Sequence, residues 1–313
     1  MGSMGRGWRV GTRSSPLALA QTAWVVDQLA LGGAPVTLVP IESEGDRALD
    51  RSLSEIGGRG VFTTALDNAL IDGRVDLVVH SLKDLPTRLA PTLRLAAVTR
   101  REDPRDAVVL RHAGRIEDLP PGARVGTSSL RRAALLRQAY PHLAVVPVRG
   151  NLGTRLAKLA AGDYDALVLA AAGLLRIGRA HEIADYLDPA WMVPSPGQGA
   201  LAVEVRADDL DAHGLVSPLD DPEVRQATQA ERQVLDAMGG NCQIPLGAYA
   251  QRDASRDEWR LLVFAAGGES PPARLSWRGT ALEVGVAWVT SELLRWAATS
   301  VGRPEALETG GQL

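Results

Sequence analysis

Between Arg9 and Ala170 the chain repeats one pattern: a short apolar run, a turn of small residues, then a stretch whose apolar positions recur at helical spacing. Arg9 to Gly11 reads as the end of a strand. Ser14 or Ser15 can then cap a helix with Pro16 in its first turn and Leu17, Ala20 and Trp24 on one face. Val36 to Ile41 predicts a second strand, Phe62 to Ile71 a second helix, and Val75 to Val79 a strand apolar enough for burial on both faces. The rhythm returns as strand Arg124 to Gly126, helix Leu130 to Tyr140, strand Leu143 to Val148, helix Thr154 to Ala161 and strand Asp165 to Ala170. Such alternation predicts an α/β fold with two doubly wound domains.

The segment Val193-Pro194-Ser195-Pro196-Gly197-Gln198-Gly199 is stiff at its prolines and free at its glycines, as a crossing between domains would be. Leu201 to Val205 is a further apolar strand that can return to the first domain's sheet. From about Pro222 the pattern changes to helix Glu223 to Met238, strands near Leu246 to Gln251, Trp259 to Ala265 and Arg274 to Trp277, and helix Ser291 to Thr299. A smaller C-terminal α+β domain is expected there. The boundaries read are 8–99 with the return segment 200–217, then 105–193, then 222–313.

The longest unbroken apolar stretch, about Ala166 to Leu175, is too short to span a bilayer, and Met1 to Val10 lacks the apolar middle of a signal peptide. A cytoplasmic location with no membrane partner is expected. One cysteine cannot form an internal disulfide and five scattered histidines show no ligand spacing, so no metal is expected. The net charge of -3 speaks against a nucleic-acid partner. Yet Leu119 to Gly162 contains no Asp or Glu and carries Arg124, Arg131, Arg132, Arg137, Arg149, Arg155 and Lys158. That field fits either an anionic ligand or a solvated basic face.

Positions sharpen the choice. His80-Ser81-Leu82-Lys83-Asp84-Leu85-Pro86 places Lys83 and Asp84 at the carboxyl end of a buried strand, where open α/β sheets bind ligands. Asp84 there can move protons, or it can be an ordinary ion-pair partner; His80 reads as a satisfied, half-buried histidine. Gly126-Thr127-Ser128-Ser129-Leu130-Arg131-Arg132 gathers free N–H groups, capping hydroxyls and two guanidiniums at one helix start, an anion site. Arg131 and Arg132 diverge by roughly 100°, so they serve different carboxylates or one points away. Arg149 and Arg155 repeat the arrangement after the next strand. Cys242, between a glycine pair and a proline, is either a loop nucleophile or an inert thiol.

Five segments together resemble the porphobilinogen deaminases: Gly11-Thr12-Arg13-Ser14-Ser15-Pro16-Leu17-Ala18, the His80 to Pro86 run, the Gly126 to Arg132 run, Pro194-Ser195-Pro196-Gly197-Gln198-Gly199, and the loop around Cys242. The resemblance implies a three-domain monomer whose first two domains are like periplasmic binding proteins. It implies a dipyrromethane cofactor joined to Cys242 by a thioether, on which four porphobilinogen molecules are polymerised with release of ammonia. Asp84 would be the central acid/base. Arg13, Ser15, Lys83, Thr127, Ser129, Arg131, Arg132, Arg149, Arg155 and Arg176 would bind acetate and propionate groups, with Gln21 and Gln198 as accessory contacts and Arg59 and Phe62 in a lid. Glu55 and Arg59 stand where the family often has lysine, and Thr64-Ala65 replaces a frequent Lys-Glu pair, so the lid departs from the pattern. The rival reading is a hinged, non-catalytic anion receptor, against which the missing signal peptide and Cys242 both count.

Overall fold

The computed structural model describes residues 7–42, 63–240, 245–267 and 271–300. Strand β1 (Trp8–Arg13) leads into helix α1 (Pro16–Leu31), followed by β2 (Val36–Ile41), α2 (Thr64–Ile71), β3 (Leu77–Ser81) and β4 (Leu93–Val98). The chain then crosses to a second sheet built from β5 (Asp106–Leu110), β6 (Arg124–Gly126), β7 (Ala144–Val146), β8 (Ala166–Ala170) and β9 (Asp185–Leu187), with helices α3 (Leu130–Ala139), α4 (Leu152–Ala160) and α5 (Ala171–Arg176). A second crossing brings β10 (Leu201–Arg206) back to the first sheet, whose order becomes β2-β1-β3-β10-β4.

The second sheet has the order β7-β6-β8-β5-β9, so both sheets share one plan. β1 pairs parallel with β2 and β3, and β6 pairs parallel with β7 and β8. β10 lies antiparallel between β3 and β4, and β5 antiparallel between β8 and β9. Each antiparallel strand is the first one laid down after a crossing. No crossover helix precedes it, and a helical crossover is what returns a chain parallel to the strand before it. Local periodicity predicted the β–α repeats but passed over β4, β5 and β9, none of which is followed directly by an α-helix.

After α6 (Leu210–Val216) and α7 (Pro222–Ala237) comes a three-stranded antiparallel sheet, β11 (Leu246–Asp253), β12 (Glu258–Ala265) and β13 (Ala273–Gly279), covered by α8 (Leu282–Ser300). Helix α8 starts at Leu282, well before the expected Ser291, because Gly285 hides its first turns from a propensity reading. That glycine lets the helix lie directly against the Trp277 ring, where a Cβ would collide. Ala227, Ala230 and Val234 of α7 share a core with Leu261, Val263 and Leu293, whereas Tyr249, Leu262 and Phe264 complete the second sheet's core beside Met192 and Val193.

The two crossings touch. The Glu102 N–H donates to the Gly199 carbonyl at 3.0 Å, and Gly199 holds φ at +96° with no room for a Cβ beside the Glu102 oxygen. Arg101 pairs with fully buried Glu231 of α7 at 2.6 Å and also donates to the Gln198 carbonyl at 2.8 Å. Glu231 in turn accepts from the Gly197 and Ala250 N–H groups at 2.7 and 2.8 Å. One buried carboxylate thus ties both crossings to the C-terminal sheet, and every oxygen of it that faces protein is satisfied. No helix among the described residues is long and apolar enough to cross a membrane.

Candidate active site

The carboxyl ends of β1 and β3 form one wall. β1 ends in Arg13, and two residues on, Ser15 caps α1 by accepting from the Ala18 N–H at 3.3 Å, with Pro16 in the first turn. Gln21, buried on the next turn of α1, exchanges hydrogen bonds of 2.9 and 3.1 Å with Ser81. It therefore braces the strand end that leads to Lys83 and Asp84. Those two residues lie on a 3-10 turn, Leu82–Asp84, between buried Leu82 and Leu85. Asp84 is exposed. Burial pulls the Lys83 ammonium down to about 8; Asp84 opposes that pull and Arg132 adds to it.

The second sheet supplies the other wall. Ser129 caps α3 by accepting from the Arg132 N–H at 3.4 Å, and Thr127 accepts from the Ser129 N–H at 3.2 Å. Gly126 is obligatory here, since a Cβ would stand 2.6 Å from Leu167 and 2.8 Å from Tyr164. Arg131 and Arg132, only 3% and 7% exposed, both turn onto Asp106 at the start of β5. Arg131 donates to one Asp106 oxygen at 2.7 Å and to the Val193 carbonyl at 2.6 Å; Arg132 donates through Nε to the other Asp106 oxygen at 2.9 Å. Burial would raise the Asp106 carboxyl, but the two guanidiniums and their hydrogen bonds hold it well below the usual carboxylate range.

Asp106 was not foreseen. The acid-free stretch from Leu119 to Gly162 contains no counter-ion for the pair, and the carboxylate comes from a strand that local periodicity did not reveal. Its one signal is an aspartate opening the apolar run Asp106-Ala107-Val108-Val109-Leu110. Removing it leaves two buried cations facing each other. Asp106→Ala is expected to cost about 3 to 5 kcal/mol of unfolding free energy, read from urea denaturation; a loss below about 1 kcal/mol would show that the arginines re-pair or reach water.

Gln198 joins the two walls. Its Oε1 accepts from Lys83 Nζ at 3.4 Å and from Arg132 at 3.3 Å, while its Nε2 donates to Asp106 at 2.9 Å and to the Pro104 carbonyl at 2.8 Å. The fully buried amide orients the cations from the crossing segment. Arg155, half-buried on α4, donates to the Gly150 carbonyl at 2.8 Å; burial and then Arg132 lower its pKa, and Asp84 opposes them. Arg176 at the end of α5 donates to the Gly199 carbonyl at 2.6 Å, and burial lowers it to about 10 against the opposing charge of Glu102. Arg149 is exposed just after β7. Arg13 is half-buried.

His80 belongs elsewhere. It is buried rather than half-buried, on the strand face away from Ser81, with Nε2 3.2 Å from a Glu204 oxygen and Asp67 of α2 beside them. Burial and the Glu204 charge raise Asp67 to about 6, offset in part by His80 and Thr63. Cys242, Arg59, Phe62 and Glu55 lie outside the described residues.

Residues 8–214 match the family model described as porphobilinogen deaminase, dipyromethane cofactor binding domain, and residues 225–267 match the porphobilinogen deaminase C-terminal domain. The chain is 49% identical over 261 residues to porphobilinogen deaminase of Bordetella parapertussis, covering 83% of each chain, and 52% identical over 244 residues to that of Acidothermus cellulolyticus, covering 77% of this chain and 74% of the other. Among solved structures it is similar to a periplasmic substrate-binding protein of an ABC transporter from Coxiella burnetii, at 18% identity over 70% of this chain and 94% of that one, with a TM-score of 0.45. That last likeness adds nothing to the strand orders above. The chain belongs to the porphobilinogen deaminase family, transferases that polymerise porphobilinogen on a dipyrromethane cofactor in tetrapyrrole biosynthesis.

Proposed function

We propose that porphobilinogen units are joined in the cleft between the two sheets, with Asp84 as the acid/base and the surrounding cations as carboxylate holders. The observation that carries this reading is the Gln198 bridge, which puts Lys83 of one wall and Arg132 of the other on one oxygen. Asp84, exposed beside Lys83, can give a proton to the departing aminomethyl nitrogen of the substrate and accept one from carbon. Arg13, Ser15, Lys83, Thr127, Ser129, Arg132, Arg149, Arg155 and Arg176 hold acetate and propionate groups. Arg131 fixes Asp106 through Nη1 and leaves Nε for a carboxylate, and Gln21 and Gln198 orient their neighbours.

The donor set fits a dipyrromethane. A group bearing several carboxylates suits a cleft of arginines, and Arg131 Nε is buried with no hydrogen-bond partner among the described residues. Cys242 would tether the group, which supplies when bound a reactive pyrrole carbon as the primer for chain growth. Three domains, 8–99 with 200–217, 105–193 and 222–313, would carry the two walls and the tether, with Arg59 and Phe62 in a lid. A cytoplasmic monomer without nucleic-acid or membrane partner completes the reading.

Lys83 gives it a pH signature. A lysine lowered to about 8 is cationic below that pH and neutral above it. Therefore kcat/KM for porphobilinogen should fall above pH 8, while Lys83→Arg, which keeps its charge, should flatten that limb. An identical alkaline limb in both proteins would remove Lys83 from the carboxylate set. The function as a whole is tested by native mass spectrometry after limited porphobilinogen: a ladder of successive bound increments is expected, and binding of intact porphobilinogen without any increment retained on denaturation would mark a receptor.

A further inference from the structure

Helix α7 reaches across to the turn that carries Asp84. Arg232 donates through Nη1 to the Leu85 carbonyl at 2.8 Å and to the Leu82 carbonyl at 3.4 Å, and through Nη2 to the Pro86 carbonyl at 2.5 Å. One turn on, Asp236 accepts from Thr87 Oγ1 at 2.8 Å and from Arg88 at 2.9 Å. The backbone N–H bonds at the ends of the 3-10 turn are two: the Leu85 N–H donates to the Leu82 carbonyl at 3.2 Å, and the Leu82 N–H donates to the Ala200 carbonyl at 3.0 Å. A single 3-10 hydrogen bond has poor geometry and does not fix a turn on its own. The guanidinium is a planar fork with fixed donor directions, so capping the carbonyls on both sides of Lys83 and Asp84 sets their orientation as well as their place.

We infer that Arg232 is a positioning residue for Asp84, holding the acid/base in register with the helix that runs on toward Cys242. Gly240 supports that coupling: at φ +65°, a Cβ there would stand 2.8 Å from Thr87 Oγ1, so the chain just before the cysteine lies against the same 82–88 loop. The Asp236 contacts are of another kind. Its partner Arg88 is 84% exposed, and neither touches the carbonyls flanking Asp84. Asp236 fastens the helix to the loop and Arg232 aims the turn.

The inference rests on Asp84 being the acid/base, and the test separates the two. Cofactor-loaded Arg232→Gln, Arg232→Lys, Asp236→Asn and Asp84→Asn would be compared for kcat, KM and thermal midpoint. Displacement of a reacting group by about 1 Å can cost a hundredfold, so Arg232→Gln should lose about ten- to a hundredfold in kcat with KM within about twofold. Arg232→Lys should recover part of the loss, and Asp236→Asn should lower the midpoint at unchanged kcat. Wild-type kcat in Arg232→Gln, or kcat and midpoint falling together in both Arg232→Gln and Asp236→Asn, would overturn the assignment. Should Arg232→Gln not fold, Arg232→Lys decides: a threefold or larger fall in kcat at unchanged KM supports it, and wild-type kcat overturns it. Full turnover by Asp84→Asn would instead sink the acid/base reading itself.

Discussion

Asp84→Asn is expected to lower kcat by about a thousandfold while leaving the thermal midpoint nearly unchanged, since positioned acid/base groups contribute on the order of 10²- to 10⁴-fold. The small effect on stability follows from exposure: Asp84 projects from a turn whose buried anchors are Leu82 and Leu85. The large effect on rate follows from chemistry, because the amide keeps the shape but can neither accept a proton nor offset positive charge. A second consequence separates this reading from a simple ion pair. Asp84 is the main charge opposing the depression of Lys83, so its loss should move the lysine further below 8 and weaken carboxylate binding at pH 7.5 to 8. Near-normal turnover with an unchanged circular dichroism spectrum would reduce Asp84 to a structural partner of Lys83.

Cys242→Ala should abolish activity altogether. The intact wild-type protein is expected to weigh more than its sequence by two linked pyrrole units, and the variant to weigh its sequence alone. Wild-type protein should also turn pink with acidic dimethylaminobenzaldehyde, and the variant should not. Cys242→Ser should behave almost like alanine, because a hydroxyl is a much weaker nucleophile than a thiolate at neutral pH. The placement of helix α7 supports the choice of this cysteine: Gly240, two residues before it, already lies against Thr87 in the loop that carries Asp84. Active wild-type protein of unmodified mass would sink the tether.

Much of the site could be read locally because its pieces are local objects. Ser15 and Ser129 cap the helices that follow them, Asn151 caps α4 by accepting from the Thr154 N–H at 2.9 Å, and each strand–turn–helix unit delivers its polar residues to a sheet's carboxyl edge. Helical periodicity and capping depend on contacts three or four residues apart, so composition at that range suffices. Asp84, the cationic set and the lone thiol stood out as candidates for the same reason, by residue type and place along the chain, while the roles proposed for them rest on the family resemblance.

The partners of those residues were not legible. Arg131 and Arg132 read as bare anion binders, yet both meet Asp106, whose strand β5 enters the second sheet antiparallel after a crossing. His80 read as half-buried, yet it is sealed against Glu204 of β10, a strand more than a hundred residues away in sequence. Gln198 read as an accessory contact, and nothing local showed that its amide joins the two walls. By itself the sequence determined the repeated strand–turn–helix units and which side chains are candidates for acid/base or carboxylate chemistry, since both follow from short-range contacts and intrinsic group properties. Only the tertiary structure decided which charges neutralise one another and which stay available to a ligand, because that depends on the slot each strand takes in a sheet, and a strand's slot is fixed by long-range burial that no local window contains.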